Sequence, residues 1–205
     1  MLTISAMLSV NASIFYRPKD KIVHADNARK NFYRPGGDHM TLQAVYDAWA
    51  ESGHSTQWCF ESFIQYRSMR RARDVRDQLE GLCERIELEL TSSPHDSVPV
   101  RKAITAGYFY HTAKFGAGGQ YKTTKHHQTV QIHPSSSLLE DQCKWVLYHE
   151  LVFTTKEFMR TVIEIEPSWL MEVAPHYYQP KELEDTGARK MPKKQGVTKS
   201  EARAF

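Results

Sequence analysis

Two hydrophobic periods divide this chain. Past Gly36-Gly37-Asp38, the residues Leu42, Val45, Tyr46 and Trp49 recur at i, i+3, i+4 and i+7, the stripe of an amphipathic helix, and Gly53 stands where such a helix ends. A second helix is predicted around Trp58, Phe60, Phe63 and Ile64. A third carries Ala72, Val75, Leu79, Leu82 and Ile86 on one face and crowded charge on the other. Met1 to Val10 reads as the second half of a buried helix, as if Met1 began inside a longer protein. Asn11 to Arg34 reads as irregular. The first half is thus expected to be a small helical bundle.

From Val100 the period changes. Val100 to Ala113 reads as a helix with Ile104 and Tyr108 on one side, and Gly116-Ala117-Gly118-Gly119 as a loop. Tyr121 to Thr124 and Thr129 to His133 are rich in β-formers and predict a hairpin. Trp145 to Phe153 and Phe158 to Ile165 predict two more strands, turning at Thr154-Thr155-Lys156. Pro167 opens a short helix with Trp169, Leu170 and Val173. Short strands plus a helix in so short a span suit a small, five-stranded barrel. The polar stretch Thr91 to Pro99 separates the halves. The expected class is α+β, with a helical domain over 1–95, a barrel over 96–180 and a basic, extended or disordered tail over 181–205.

Composition narrows the function only slightly. A net charge of +3 over 205 residues demands no polyanionic partner, so the placement of charge matters more than its sum. No apolar run is long enough to span a bilayer, and the N-terminus lacks the basic lead and cleavage site of a signal peptide. Cys59, Cys83 and Cys143 are far apart and odd in number, which suits buried thiols in a reducing compartment. The sequence has no Gly-x-x-x-x-Gly-Lys-Ser/Thr, Gly-x-Ser-x-Gly or His-Glu-x-x-His motif. His149-Glu150 has no second histidine at zinc-binding spacing, and His126-His127 at a hairpin tip are poorly placed to share a metal.

Three basic features remain. Arg67, Arg70 and Arg71 share a helical face and can grip phosphates; equally, that face can be a solvated one laced by Arg70–Asp74, Arg73–Asp77 and Arg76–Glu80 pairs. Lys114, Tyr121, Lys122, Lys125, His126 and His127 interleave cations and rings around the glycine loop, as single-strand binding requires, or form an ordinary polar hairpin. The tail carries Arg189, Lys190, Lys193, Lys194, Lys199 and Arg203, suited to an acidic surface or to solubility alone. On residues alone, this is an RNA- or protein-binding module.

These residues also resemble the C-terminal region of the DEAH-box RNA helicases. Leu2 to Val10, Phe15-Tyr16-Arg17-Pro18, Gly37-Asp38-His39, Trp58-Cys59 and Arg67-Ser68 through Asp74-Val75-Arg76-Asp77-Gln78-Leu79 are similar to the helical "ratchet" region. Arg101 to Ile104, Gln128 to Ser136, Tyr148 to Val152, Trp169-Leu170 and Ala174 to Tyr178 resemble the family's oligonucleotide-binding (OB) barrel. Tyr16 to Lys21, Ala25 to Arg29 and Met69 to Asp74 look most like the metazoan spliceosomal member that acts before the first splicing step.

The resemblance implies the RNA-channel and regulatory part of an ATP-dependent helicase in pre-mRNA splicing, located in the nucleus. ATP and Mg2+ would sit in the parent's motor domains, and no cofactor or metal in this piece, which is expected to be inactive alone. The implied partners are single-stranded pre-mRNA, the parent's motor and winged-helix domains, and G-patch or other splicing cofactor proteins, with no membrane. Arg67, Arg70, Arg71, Lys102, Lys122, Lys125 and Thr129 are the expected RNA contacts, and no residue is expected to be catalytic. His133 is expected to be structural. A platform that docks splicing cofactors, with incidental RNA contact, is the other reading; Tyr177 and Tyr178 as exposed aromatics beside the tail would suit it.

Overall fold

A computed structural model describes residues 1–10, 13–93, 96–116 and 118–183. In the helical half, α1 (Leu2–Leu8), α3 (Asp38–Glu51) and α5 (Tyr66–Arg85) are the main elements. They bury Met7, Val45, Tyr46, Trp49, Met69 and Ala72 with Cys59 and Ile64 in one core. The stripe predicted for α3 is the face that enters this core. The short α4 (Thr56–Glu61) starts where the Ser55 hydroxyl accepts the Trp58 N–H at 3.2 Å, an N-cap that ties off an otherwise unpaired donor. Gly53 takes φ +70 just past the end of α3, the left-handed step that releases the chain from the helix.

Three local expectations fail here, each for a physical reason. The stretch predicted irregular contains α2 (Ile22–Lys30), which buries only Ala25 and so leaves no apolar period to read. The stripe predicted on α5 enters the core only at its first part: Ala72 is buried, while Leu82 and Ile86 are 50% and 72% exposed because no described element covers the distal turns. The helix predicted around Trp58, Phe60, Phe63 and Ile64 stops at Glu61, because Phe63 takes φ +55 and Ile64 forms a bridge to Phe15.

The second half opens with α6 (Val98–Tyr108), with Pro99 in its first turn. The helix predicted to reach Ala113 stops short, because Thr112–Phe115 is the first strand, β1, paired on both sides. With β2 (Tyr121–Thr123), β3 (Thr129–Ile132), β4 (Trp145–Phe153) and β5 (Glu157–Glu164) it closes a barrel in the order β1-β2-β3-β5-β4, where only β3 and β5 run parallel. Closure gives each of the five strands a neighbour on either side, which removes the sheet edges that would otherwise recruit another chain. The fold is α+β, as the periods predicted.

Alternation along β4 decides the packing. Val146 and Tyr148 point inward with Ala113, Val130, Met159 and Val162. Trp145 and Leu147 point outward, under α6 and α7 (Pro167–Val173), with Ile104, Ile163, Ile165 and Leu170. Both faces of Trp145–Tyr148 are therefore dry, while Glu150, Leu151 and Phe153 run out into solvent. Tyr178, expected to be exposed, is buried: its hydroxyl shares a hydrogen bond with Thr112 Oγ1 at 2.6 Å and also donates to the Phe109 carbonyl. Burial pushes its phenol up to about 12. The tail begins in the short helix α8 (Pro180–Leu183), and 184–205 with all six of its predicted basic residues lie outside the described residues.

The halves meet at Gly36-Gly37-Asp38. Gly37, at φ +120, pairs with Ile163 as an isolated bridge, and a Cβ there would stand 2.4 Å from the Val162 carbonyl oxygen. The Glu164 N–H donates to the Gly36 carbonyl at 2.9 Å. Asp38, at the first turn of α3, is buried and accepts four hydrogen bonds from the barrel side. Ser137 donates its N–H at 2.7 Å and its hydroxyl at 2.9 Å; the Ser136 hydroxyl and the Val162 N–H donate at 2.7 and 2.8 Å. A carboxylate held by that many donors at a helix N-terminus is well compensated for its burial. Within the second half, Arg101 of α6 braces the β5 end of this junction, donating to the Glu164 carbonyl at 2.6 and 2.9 Å while lying over the Trp169 ring.

Candidate nucleic-acid interface

On α5, the core takes Ser68, Met69 and Ala72, which turns Arg67, Arg70 and Arg71 outward. Among the described residues none of the three makes an ion pair or hydrogen bond. Of the predicted lacing pairs only Arg76–Glu80 forms, at 2.9 Å; Arg73 instead approaches Asp74 at 3.7 Å. The arginine face is therefore exposed and unmatched by acid in its first turns. That geometry leaves the guanidinium groups available to an external anion.

The barrel residues divide into two sets. Lys122 and Thr129 are cross-strand partners on β2 and β3, both exposed, and Lys122 is likewise aligned with Lys114 on β1. Lys114 packs over the Trp145 ring at 5.1 Å. These three residues thus sit side by side on the outer surface of β1-β2-β3. The other two are engaged within the protein. Lys102, on α6, donates to Glu172 at 2.6 Å, and Lys125 donates to both carboxylate oxygens of Glu182 on α8 while lying over the rings of Tyr177 and Tyr178. The Gln179 N–H, and after it Lys125, holds the Glu182 carboxyl below its ordinary value. Such exposed pairs are weak and exchangeable, about 0–1 kcal/mol, but they blunt the cation.

His133 and His39 are both packed within the protein. Ser135 donates its N–H to His133 Nδ1 at 3.1 Å, which makes that nitrogen an acceptor for the Ser135 hydroxyl at 2.7 Å as well. His133 is held below its usual value by burial first and by Arg160 and Arg29 next. His39 is fully buried on α3, neither ring nitrogen has a partner among the described residues, and burial lowers it to about 3. The predicted tip His126-His127 is a turn, with His127 at φ +52. No three His, Cys, Asp or Glu side chains among the described residues are grouped to hold a metal ion, and no described helix is long and apolar enough to cross a membrane.

One feature was not legible as a site. A groove of about 680 Å3 runs where Pro18 and Lys21 of the loop before α2 face Phe60 and Phe63 near α4 and Arg67 of α5. Tyr16 is 54% exposed on its rim. The sequence places Phe60 on a helix without fixing its exposure, and Tyr16 falls in a stretch that reads as irregular. The thiol of Cys59, on the groove wall, is pushed up to about 11 by burial, so it is a packing group rather than a nucleophile.

The barrel has a counterpart among known families. Residues 100–177 match a family model, OB_NTP_bind, described as an oligonucleotide/oligosaccharide-binding (OB)-fold. The matched span runs from α6 to the segment after α7 and contains the whole closed barrel. The second half of this chain is an OB-fold domain of the kind typical of the C-terminus of DEAH helicases.

Proposed function

We propose that this chain is the C-terminal RNA-contacting and regulatory region of a DEAH-box ATP-dependent RNA helicase, of the spliceosomal type suggested by its ratchet-like text. One observation carries the reading. An OB barrel of the helicase-associated type is joined, through the buried Asp38 junction, to a helix presenting three arginines with no acidic partner among the described residues. Held in one body, the arginine face and the Lys122–Thr129 surface can form a wall along a single strand. Contacts of that kind go to phosphates and carry no base information, which suits a motor that must move over any sequence. In this proposal ATP and Mg2+ belong to the motor domains of the parent, which with its winged-helix domain and G-patch-type cofactors would be the neighbours of this region in the nucleus.

The test is a salt-dependent titration of a labelled single-stranded RNA. A wall of this kind should bind weakly, with Kd on the order of 10⁻⁴ to 10⁻⁶ M, and prefer single strands to duplex. The double change Arg67→Glu, Arg70→Glu should weaken binding and flatten the salt dependence by about 1.4 in log–log slope, roughly 0.7 for each phosphate no longer gripped. Circular dichroism should be unchanged, since neither residue enters the core. A folded double mutant with the parental slope would return the arginines to a solvated face.

A second reading has its own observation. Leu82 near the far end of α5, and Ile86, Leu88 and Leu90 just past it, are all exposed apolar residues. Exposed apolar residues so close in sequence suit a protein contact, and a cofactor docked there would make this region a platform in which RNA contact is secondary. The Tyr177–Tyr178 corner does not serve that role, since Tyr178 is internal.

A further inference from the structure

The geometry points to the groove between Tyr16 and Phe60 as a stacking site for an unpaired base of single-stranded RNA, with Arg67 and the arginines behind it taking the adjoining phosphates. This rests on the RNA reading above and deepens it, by assigning base contact to the helical half rather than to the barrel.

Three observations carry it. First, the groove is a shaped recess and not a flat patch: its volume lies within the roughly 300–1,000 Å3 typical of small-ligand sites. Second, its apolar surface is aromatic and exposed. Phe60 and Tyr16 belong to no buried cluster, although the same short segments bury Cys59 and Ile14 fully. Flat rings left in water beside a recess are what base stacking uses, and any base offers a face to them. Third, the charge around it is complementary to a polyanion. Lys21 lines the recess, and Arg67, Arg70 and Arg71 follow along α5 with no acidic partner among the described residues. Of the nearby acids, Asp20 lines the recess, Glu61 accepts from Gln57 at 2.8 Å, and Asp26 is taken by Arg17 at 2.7 Å.

The floor is also braced. The Tyr16 N–H donates to the Phe63 carbonyl at 2.8 Å, and the Gln65 N–H donates to the Ile14 carbonyl at 2.8 Å. These bonds fix the loop that carries Tyr16 against the α4–α5 turn that carries Phe63. A recess held open in this way loses little freedom when a flat ring enters, so more of the stacking energy appears as affinity. An acidic peptide could use the same cations, but it would not need two exposed rings flanking the recess.

The experiment separates bases from phosphates. The full chain is titrated with a uridine 12-mer and with an abasic 12-mer of the same backbone, using the parent, Phe60→Ala, Tyr16→Ala and Phe60→Tyr. Phe60→Ala and Tyr16→Ala should each weaken the uridine strand about tenfold, the scale of one missing stack, while leaving the abasic strand and the salt slope unchanged. Phe60→Tyr should restore binding. A Phe60→Ala protein that binds both strands as the parent does overturns the groove while leaving the wider RNA reading intact. Failure of the parent to bind either strand overturns both. Loss of an acidic peptide's binding on Phe60→Ala, with uridine binding untouched, would make the groove a protein site and also overturns the proposal. Both rings are exposed, so folding is not at risk, and thermal unfolding of each variant checks it.

Discussion

The barrel and the first turns of α5 treat their cations in opposite ways. Around the barrel, Arg101 is tied to Glu164, Lys102 to Glu172, Lys125 to Glu182 and Arg160 to Glu150. On α5 of the helical half, Arg67, Arg70 and Arg71 stand without carboxylate partners among the described residues, next to a recess rimmed by exposed rings. The half that carries the oligonucleotide-binding name has much of its charge neutralised internally, whereas the start of α5, in a half that also pairs Arg17 with Asp26 and Arg76 with Glu80, leaves three guanidinium groups open beside exposed rings. The difference suggests a division of labour. The barrel supplies a rigid, doubly buried frame, and the helical half, locked to it by Asp38, presents the more open binding chemistry.

If the barrel is chiefly frame, its largest mutational effects should fall on stability. Trp145→Ala, under α6 and α7, should cost about 3–5 kcal/mol, read as a fall in the denaturant midpoint with an unchanged slope. Phe153→Ala, farther along the same strand and open to solvent, should stay within about 0.5 kcal/mol. Equal losses at both positions would break the picture of a strand buried at one end only.

The seam between the halves should show in acid. His39 is buried uncharged, with its folded value about 3 against an ordinary 6.5. The unfolded chain therefore binds the extra proton first. The stability owed to the neutral form is complete above about pH 6.5 and is lost as the pH falls toward 3, at roughly 1.4 kcal/mol per pH unit. His39→Leu should remove that part of the acid slope with little cost at neutral pH, because neither ring nitrogen gives up a partner. Chemical denaturation of both proteins between pH 7 and 5 measures it; parallel slopes would place His39 in contact with water.

The smallest effects sharpen the division within the barrel. Lys122→Ala should lower the RNA salt slope by about 0.7, the value of a single phosphate. Lys125→Ala should change it less, because Glu182 already neutralises that ammonium. The reverse order, measured in the same titration, would mean that α8 leaves its seat when RNA binds.

The sequence by itself determined the two periods, and with them most of the order of helices and strands and the α+β class. Local pattern suffices for that, because a stripe at 3.6 residues or an alternation at two follows from which face is dry. It read β2 to β5, α3 and α7 closely. It failed at α2, whose single buried alanine writes no pattern, and at β1, which follows α6 so closely that its residues read as more of that helix until closure pairs them on both sides. The predicted site was legible as residue types only. Which arginines lack acids, which lysines are already taken, and that Phe60 and Tyr16 share one recess depend on partners distant in the chain. Glu182 reaches back to Lys125, and Tyr16 is fixed by the Phe63 carbonyl. Exposure and pairing are properties of the packed chain, and only the tertiary structure decided them.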